Sequence, residues 1–223
     1  MTLRLKLAVA ALAVLVVALM LPTAAYADPT SLTFTLSIPN SGLAGTTSPY
    51  AQAVFTFDSG HIDVTVSGLN GSTLFGNCSS TTGNGGCMFG FNSTNGGLTL
   101  GGFTNGASAG GAGNMDGFGT FNYRIGGGNG QNGSVSSFSF TISQGGGFTN
   151  PGWVSALGIT ANSSGFSMAA HIIGHGLTGF ASTTDTSGCP DCSNQITPEP
   201  TSMFLLGTGL IGMGGVLRRK MKR

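Results

Sequence analysis

Apolar and polar residues alternate with period two along much of the interior of the chain. Over 31–38 the run Ser-Leu-Thr-Phe-Thr-Leu-Ser-Ile keeps the alternation at every position. The same period runs through 53–57 and 61–66, joined by Asp58-Ser59-Gly60, a turn signal. Successive side chains of a strand point to opposite faces, so this pattern sets one face against a core and the other in water. Segments 119–125, 135–143, 153–160 and 166–173 read as further strands, and 87–91, 98–103 and 177–181 as weaker ones. No interior segment carries a helical period of 3.6 residues. Short strands punctuated by Gly and Asn predict an all-β fold, an antiparallel β-sandwich or jelly-roll-like domain.

Two apolar runs break the pattern, one near each end. Residues 7–21 are uninterruptedly apolar, follow Arg4 and Lys6, and lead to Ala25-Tyr26-Ala27, a small-x-small cleavage pattern. They predict a secretory signal peptide over 1–27, cut after Ala27, with Asp28 the first mature residue. The second run extends from Met203 to Leu217 and, counted from Thr201, is seventeen uncharged residues long. As a helix rising about 1.5 Å per residue it covers roughly 25 Å, near the lower limit for crossing a bilayer. Arg218, Arg219, Lys220, Lys222 and Arg223 follow it. Their long side chains can snorkel to the interface, and their charge keeps them in the cytoplasm. Pro198 and Pro200 disfavour helix around Glu199, leaving an extended strip for a processing enzyme to bind. The predicted organisation is thus a signal peptide (1–27), an extracytoplasmic all-β body (28–196) and a C-terminal signal with a transmembrane helix (197–223).

The order Pro198-Glu199-Pro200-Thr201-Ser202, short apolar helix and terminal basic cluster resembles the PEP-CTERM sorting signal of Gram-negative bacteria. The resemblance covers about the last 26 residues. It implies recognition by an exosortase, a membrane-embedded cysteine transpeptidase-like enzyme that cuts near the Pro-Glu-Pro. It also implies a precursor held transiently in the inner membrane and a mature form at the cell surface or secreted, often beside exopolysaccharide. Residues 165–180 further resemble a strand–glycine turn–strand segment found in exported proteins of this kind.

Charge divides the chain. Seven of its eight Lys and Arg lie in the two terminal segments. The body holds Arg124 alone, against Asp28, Asp58, Asp63, Asp116, Asp185 and Asp191, for a net charge of −5. With no basic patch to neutralise phosphate, nucleic acid is excluded as a partner. Glycine, at 40 of 223 residues, clusters in 83–86, 96–102, 106–119, 126–133 and 145–147, which read as surface loops. Gly110-Gly111-Ala112-Gly113-Asn114-Met115-Asp116 approaches a calcium-binding nonapeptide once, one position out of register and without repeating.

In an exported protein four cysteines favour disulfides. Proximity in sequence favours Cys78–Cys87 with Cys189–Cys192 among the three possible connectivities. Cys189-Pro190-Asp191-Cys192 lies in a loop without the strand–helix setting that a redox C-x-x-C needs. His171-x3-His175 lacks the glutamate of a zinc-protease helix, and Asp58 and Asp63, flanking His61, border a turn and face solvent. No metal, cofactor or catalytic residue is assigned, and no enzymatic activity is expected. Trp153, the sole tryptophan, reads as a core anchor, with a sugar-stacking platform as its alternative role. The sequence therefore predicts an exported, exosortase-sorted surface protein, structural or adhesive in the envelope or exopolysaccharide matrix. The alternative is a carbohydrate-binding or carbohydrate-active module.

Overall fold

The computed structural model describes residues 28–76, 86–127 and 133–188. Several predicted features lie outside the described residues: the signal peptide with Ala25 and Ala27, the sorting motif and its apolar and basic parts, and Cys78, Cys189 and Cys192. Residues Asp28–Ser193 group as one compact unit.

Two antiparallel sheets face each other across an aromatic core. The first sheet has the order β1 (Ser31–Leu36), β3 (Ala51–Asp58), β4 (His61–Gly68), β12 (Ser137–Ser143), β7 (Thr99–Gly101). The second has the order β2 (Ile38–Pro39), β14 (Leu177–Thr183), β13 (Met168–Gly174), β6 (Phe89–Phe91), β11 (Tyr123–Gly127), β8 (Ala107–Gly110). The short strand β5 (Thr73–Leu74) also pairs with β13.

The period-two pattern is what builds the core. Leu32, Phe34 and Leu36 of β1 are buried while Thr33 and Thr35 between them are exposed. Phe55, Val64, Phe138 and Phe140 enter the core from the same sheet, and Phe89, Phe91, Ile125 and Met168 enter from the other. Rings from opposite sheets meet edge-on at Phe55–Phe91, 6.0 Å between centroids, and stack at Phe91–Phe140, 6.4 Å. Each such side chain contributes about 1.5–3 kcal/mol by leaving water.

A third layer covers the back of the second sheet. There β9 (Gly113–Met115) and β10 (Gly119–Phe121) form a hairpin. Met115, Phe118 and Phe121 pack with Cys87, Ala169 and Phe180 in a separate small core. Gly90 makes this possible: a Cβ there would lie 2.5 Å from Met115 Sδ. Phe89 and Phe91 thus face one core while the backbone between them lies against the other.

Four sequence expectations change. Segment 31–38, read as one strand, divides at Ser37 into β1 and the short β2 of the other sheet, where Ile38 is exposed. Residues 153–160, read as a strand, begin with a one-turn helix, α1 (Trp153–Leu157), closed by Gly158 at φ 60°. Its exposed N–H groups are satisfied from far away: the Asp28 carboxylate accepts from Gly152 N at 2.7 Å and Val154 N at 3.2 Å. A cap 124 residues distant leaves no local trace in the sequence. Segment 119–125 is two strands split at Asn122, whose backbone N–H bonds Asn92 Oδ1 and whose side chain bonds Ser93 O. The glycine-rich stretch 106–119, read as loop, contains β8 and β9.

Candidate functional site

The β3–β4 hairpin brings the clustered titratable side chains together. Its two-residue turn places Ser59 at φ 45° and Gly60 at φ 101°, the left-handed values that a tight hairpin matching strand twist requires. Asp58 and His61 close the turn as cross-strand partners, and Asp63 stands two residues along β4, opposite Thr56. Phe55 and Ile62 point into the core, so alternation sends Asp58, His61 and Asp63 to the solvent face. His61 Nε2 lies 3.4 Å from Asp63 Oδ1 and 3.9 Å from Asp58 Oδ2. The turn is pinned from behind, since Phe148 N donates to Gly60 O at 2.8 Å. The solvent exposure expected for these two aspartates is what the structure shows.

Around this cluster the outer face of the first sheet is a grid of hydroxyls. Ser139, Thr65, Val54 and Thr33 form one row across the strands, and Thr141, Asp63, Thr56 and Ser31 the next. At the sheet margin Thr104 Oγ1 and Ser139 Oγ lie 3.1 Å apart.

Trp153 occupies neither face. It is 0% exposed, stacks on Phe57 at 6.3 Å, and its indole Nε1 donates to Pro29 O at 2.9 Å. The core-anchor reading holds. The sugar-platform reading is corrected, because a ring enclosed by protein presents no face to a ligand. Asp28, predicted as the first mature residue, caps the helix that carries this tryptophan, so the start of the body is fastened to its interior.

Arg124 is the site residue that sequence reasoning noticed only as a charge. It is 2% exposed, and its guanidinium donates to carbonyls alone: Nε to Gly111 O at 2.6 Å, Nη2 to Ala112 O at 3.2 Å and Nη1 to Asn114 O at 3.3 Å. Burial pushes its pKa down from the ordinary range. The segment that approaches a calcium-binding repeat thus turns its carbonyls onto an arginine. Gly113 is needed there, since a Cβ would lie 2.5 Å from Arg124 Cζ. No periodicity signals this clamp; the one cation of a glycine-rich body was the available hint.

The remaining histidines are kept apart. His171, in the middle of β13, stacks on Phe180 at 4.3 Å and meets the edge of Phe75 at 5.2 Å. Its Nε2 bonds Thr178 Oγ1 at 3.2 Å, and its Nδ1 is buried facing the Gly86 backbone. Burial lowers its pKa, partly offset by the Gly86 backbone and the charge of Asp116. His175 sits in the exposed β13–β14 turn, with Nε2 3.1 Å from Asn70 O. Cys87 is fully buried in the small core.

Among the described residues no helix is long and apolar enough to cross a membrane. No curated protein and no solved structure matches the chain. Residues 197–220 match the model of the PEP-CTERM protein-sorting motif, the segment that the Pro-Glu-Pro, apolar run and basic end had singled out. The chain therefore carries a PEP-CTERM protein-sorting motif at its C-terminal end, which indicates an exported protein sorted by an exosortase.

Proposed function

We propose that the β-sandwich body acts, once sorted, as a structural or adhesive component of the envelope or exopolysaccharide matrix of a Gram-negative bacterium, without catalysing a reaction. The observation that carries this reading is the outer face of the first sheet. Its rows of Ser and Thr hydroxyls lie on a regular strand spacing of about 4.8 Å, with Asp63 the acid in the rows and no basic side chain among them. Such a face offers many weak, uncharged hydrogen bonds in register, which suits cohesion with a hydrated neutral polymer. Predicted cleavage before Asp28 agrees with the reading, because Asp28 then stays in the body whose helix it caps. The predicted pairs Cys78–Cys87 and Cys189–Cys192 fit an oxidising compartment and belong to the same proposal.

The test is a deletion strain complemented with the full-length gene, scored for matrix cohesion and for surface retention of the protein. Loss of cohesion on deletion, restored by the wild type and not by a variant carrying T33K, T65K and S139K on the outer face, supports the structural role. Unaltered cohesion, together with saturable binding of the purified protein to one polysaccharide of a panel, favours the carbohydrate-binding module instead.

A further inference from the structure

We propose that Asp58, His61 and Asp63 bind one divalent transition-metal cation of the zinc type at the tip of the β3–β4 hairpin. Two carboxylates and one imidazole each offer a donor atom here, and these atoms all lie within 4.8 Å of one another. Oxygen and nitrogen donors bind zinc at about 2.0–2.2 Å, so tetrahedral neighbours on one ion stand roughly 3.3–3.6 Å apart. His61 Nε2 and Asp63 Oδ1, at 3.4 Å, already meet that spacing. Asp58 Oδ2 lies 3.9 Å from the same nitrogen, a few tenths of an ångström beyond that spacing.

The scaffold fixes the backbone positions of the three residues before any ion arrives. Asp58 and His61 are fixed as a cross-strand pair beside a two-residue turn, and Asp63 is fixed by the pairing of β4 with β3 and β12. The Phe148–Gly60 hydrogen bond holds the turn itself. The backbone therefore needs no ordering on binding, which is left to the three side chains.

Charge points the same way. The body carries a net charge of −5. Its only arginine, Arg124, is buried and held by the carbonyls of the β8–β9 segment. The two carboxylates at the hairpin thus have no Lys or Arg of the body to neutralise them, and their one basic neighbour is His61 itself. The imidazole selects the class of cation, since a borderline metal gains from nitrogen ligation whereas calcium prefers an all-oxygen set. Three protein donors leave a position open to water, and the partial exposure of all three side chains provides the path of entry.

The test is isothermal titration of zinc chloride into the full-length protein in detergent, in a non-chelating buffer, with any free thiols first blocked. The expected result is one saturable equivalent for the wild type. H61Q and D63N are each expected to weaken binding at least about tenfold, as loss of even a supporting group at a metal site commonly does. H175Q, which changes an exposed histidine outside the cluster, is expected to bind as the wild type does. Both cluster variants alter solvent-facing side chains, and unchanged melting curves confirm that they fold. Absence of saturable binding, or wild-type affinity in H61Q, overturns the proposal.

Discussion

Replacing Trp153 with alanine tests how far the body depends on its one tryptophan. The indole is 0% exposed, stacks on Phe57 and donates to Pro29 O. Truncating a buried tryptophan to alanine costs about 3–5 kcal/mol in transfer free energy and cavity. The lost indole bond adds about 1 kcal/mol. In a domain of this size each kcal/mol lowers the midpoint by about 2–4 °C, so W153A should melt roughly 10 °C or more below the wild type. W153F separates the two contributions. It keeps a ring against Phe57 and forfeits the hydrogen bond and part of the volume, for about 1–2 kcal/mol. Thermal unfolding followed by circular dichroism reads both, since it does not depend on the fluorophore being removed. Wild-type stability in W153A, with a selective loss of sugar binding, would refute the reasoning and return Trp153 to the surface.

Two further substitutions probe other parts of the account. Arg124→Met leaves the carbonyls of Gly111, Ala112 and Asn114 without their donor. It should lower the urea-unfolding free energy by about 2–5 kcal/mol, with Arg124→Lys restoring only part because an ammonium lacks the planar fork; an unshifted midpoint in R124M would show the clamp to be dispensable. His171 supplies a pH dependence of known sign. Burial holds its folded pKa below the ordinary value, so the unfolded chain takes up the proton more readily. Stability is then full above about pH 6.5 and declines as the pH falls from there towards the lower folded value. His171→Gln should flatten that part of the stability–pH curve, and an identical slope in the variant would contradict the assignment.

What the sequence revealed follows from how local each signal is. Strand 31–36 and the 53–66 hairpin announce themselves because burial on one face forces strict alternation, and Leu32, Phe34, Phe55 and Val64 fill the core as that alternation requires. The alternation runs on to Ile38, but there the chain has crossed to the other sheet and the side chain is exposed. The sorting signal is legible because its parts are short, local and read in sequence order. Features that rest on distant partners were not legible. The helix at Trp153 needs Asp28, the break at Asn122 needs Asn92 and Ser93, and the strands β8 and β9 are organised around Arg124. Glycine misled for a specific reason. At Gly90 and Gly113 the missing Cβ admits a methionine sulfur and a guanidinium, so these glycines report close packing although their composition reads as loop. The hairpin cluster was half visible: Asp58, His61 and Asp63 were seen as neighbours, but only the cross-strand pairing shows that their donor atoms converge.

The central claim, that an exosortase sorts this protein through its C-terminal signal, is tested most directly by C-terminal peptide mass spectrometry of the protein recovered from producing cells and their medium. The account predicts mature molecules ending near 197–202, with the basic segment from Arg218 to Arg223 removed. An intact Arg223 in every molecule would contradict it, and the protein would then be a tail-anchored envelope protein that keeps its Pro198-Glu199-Pro200 unprocessed.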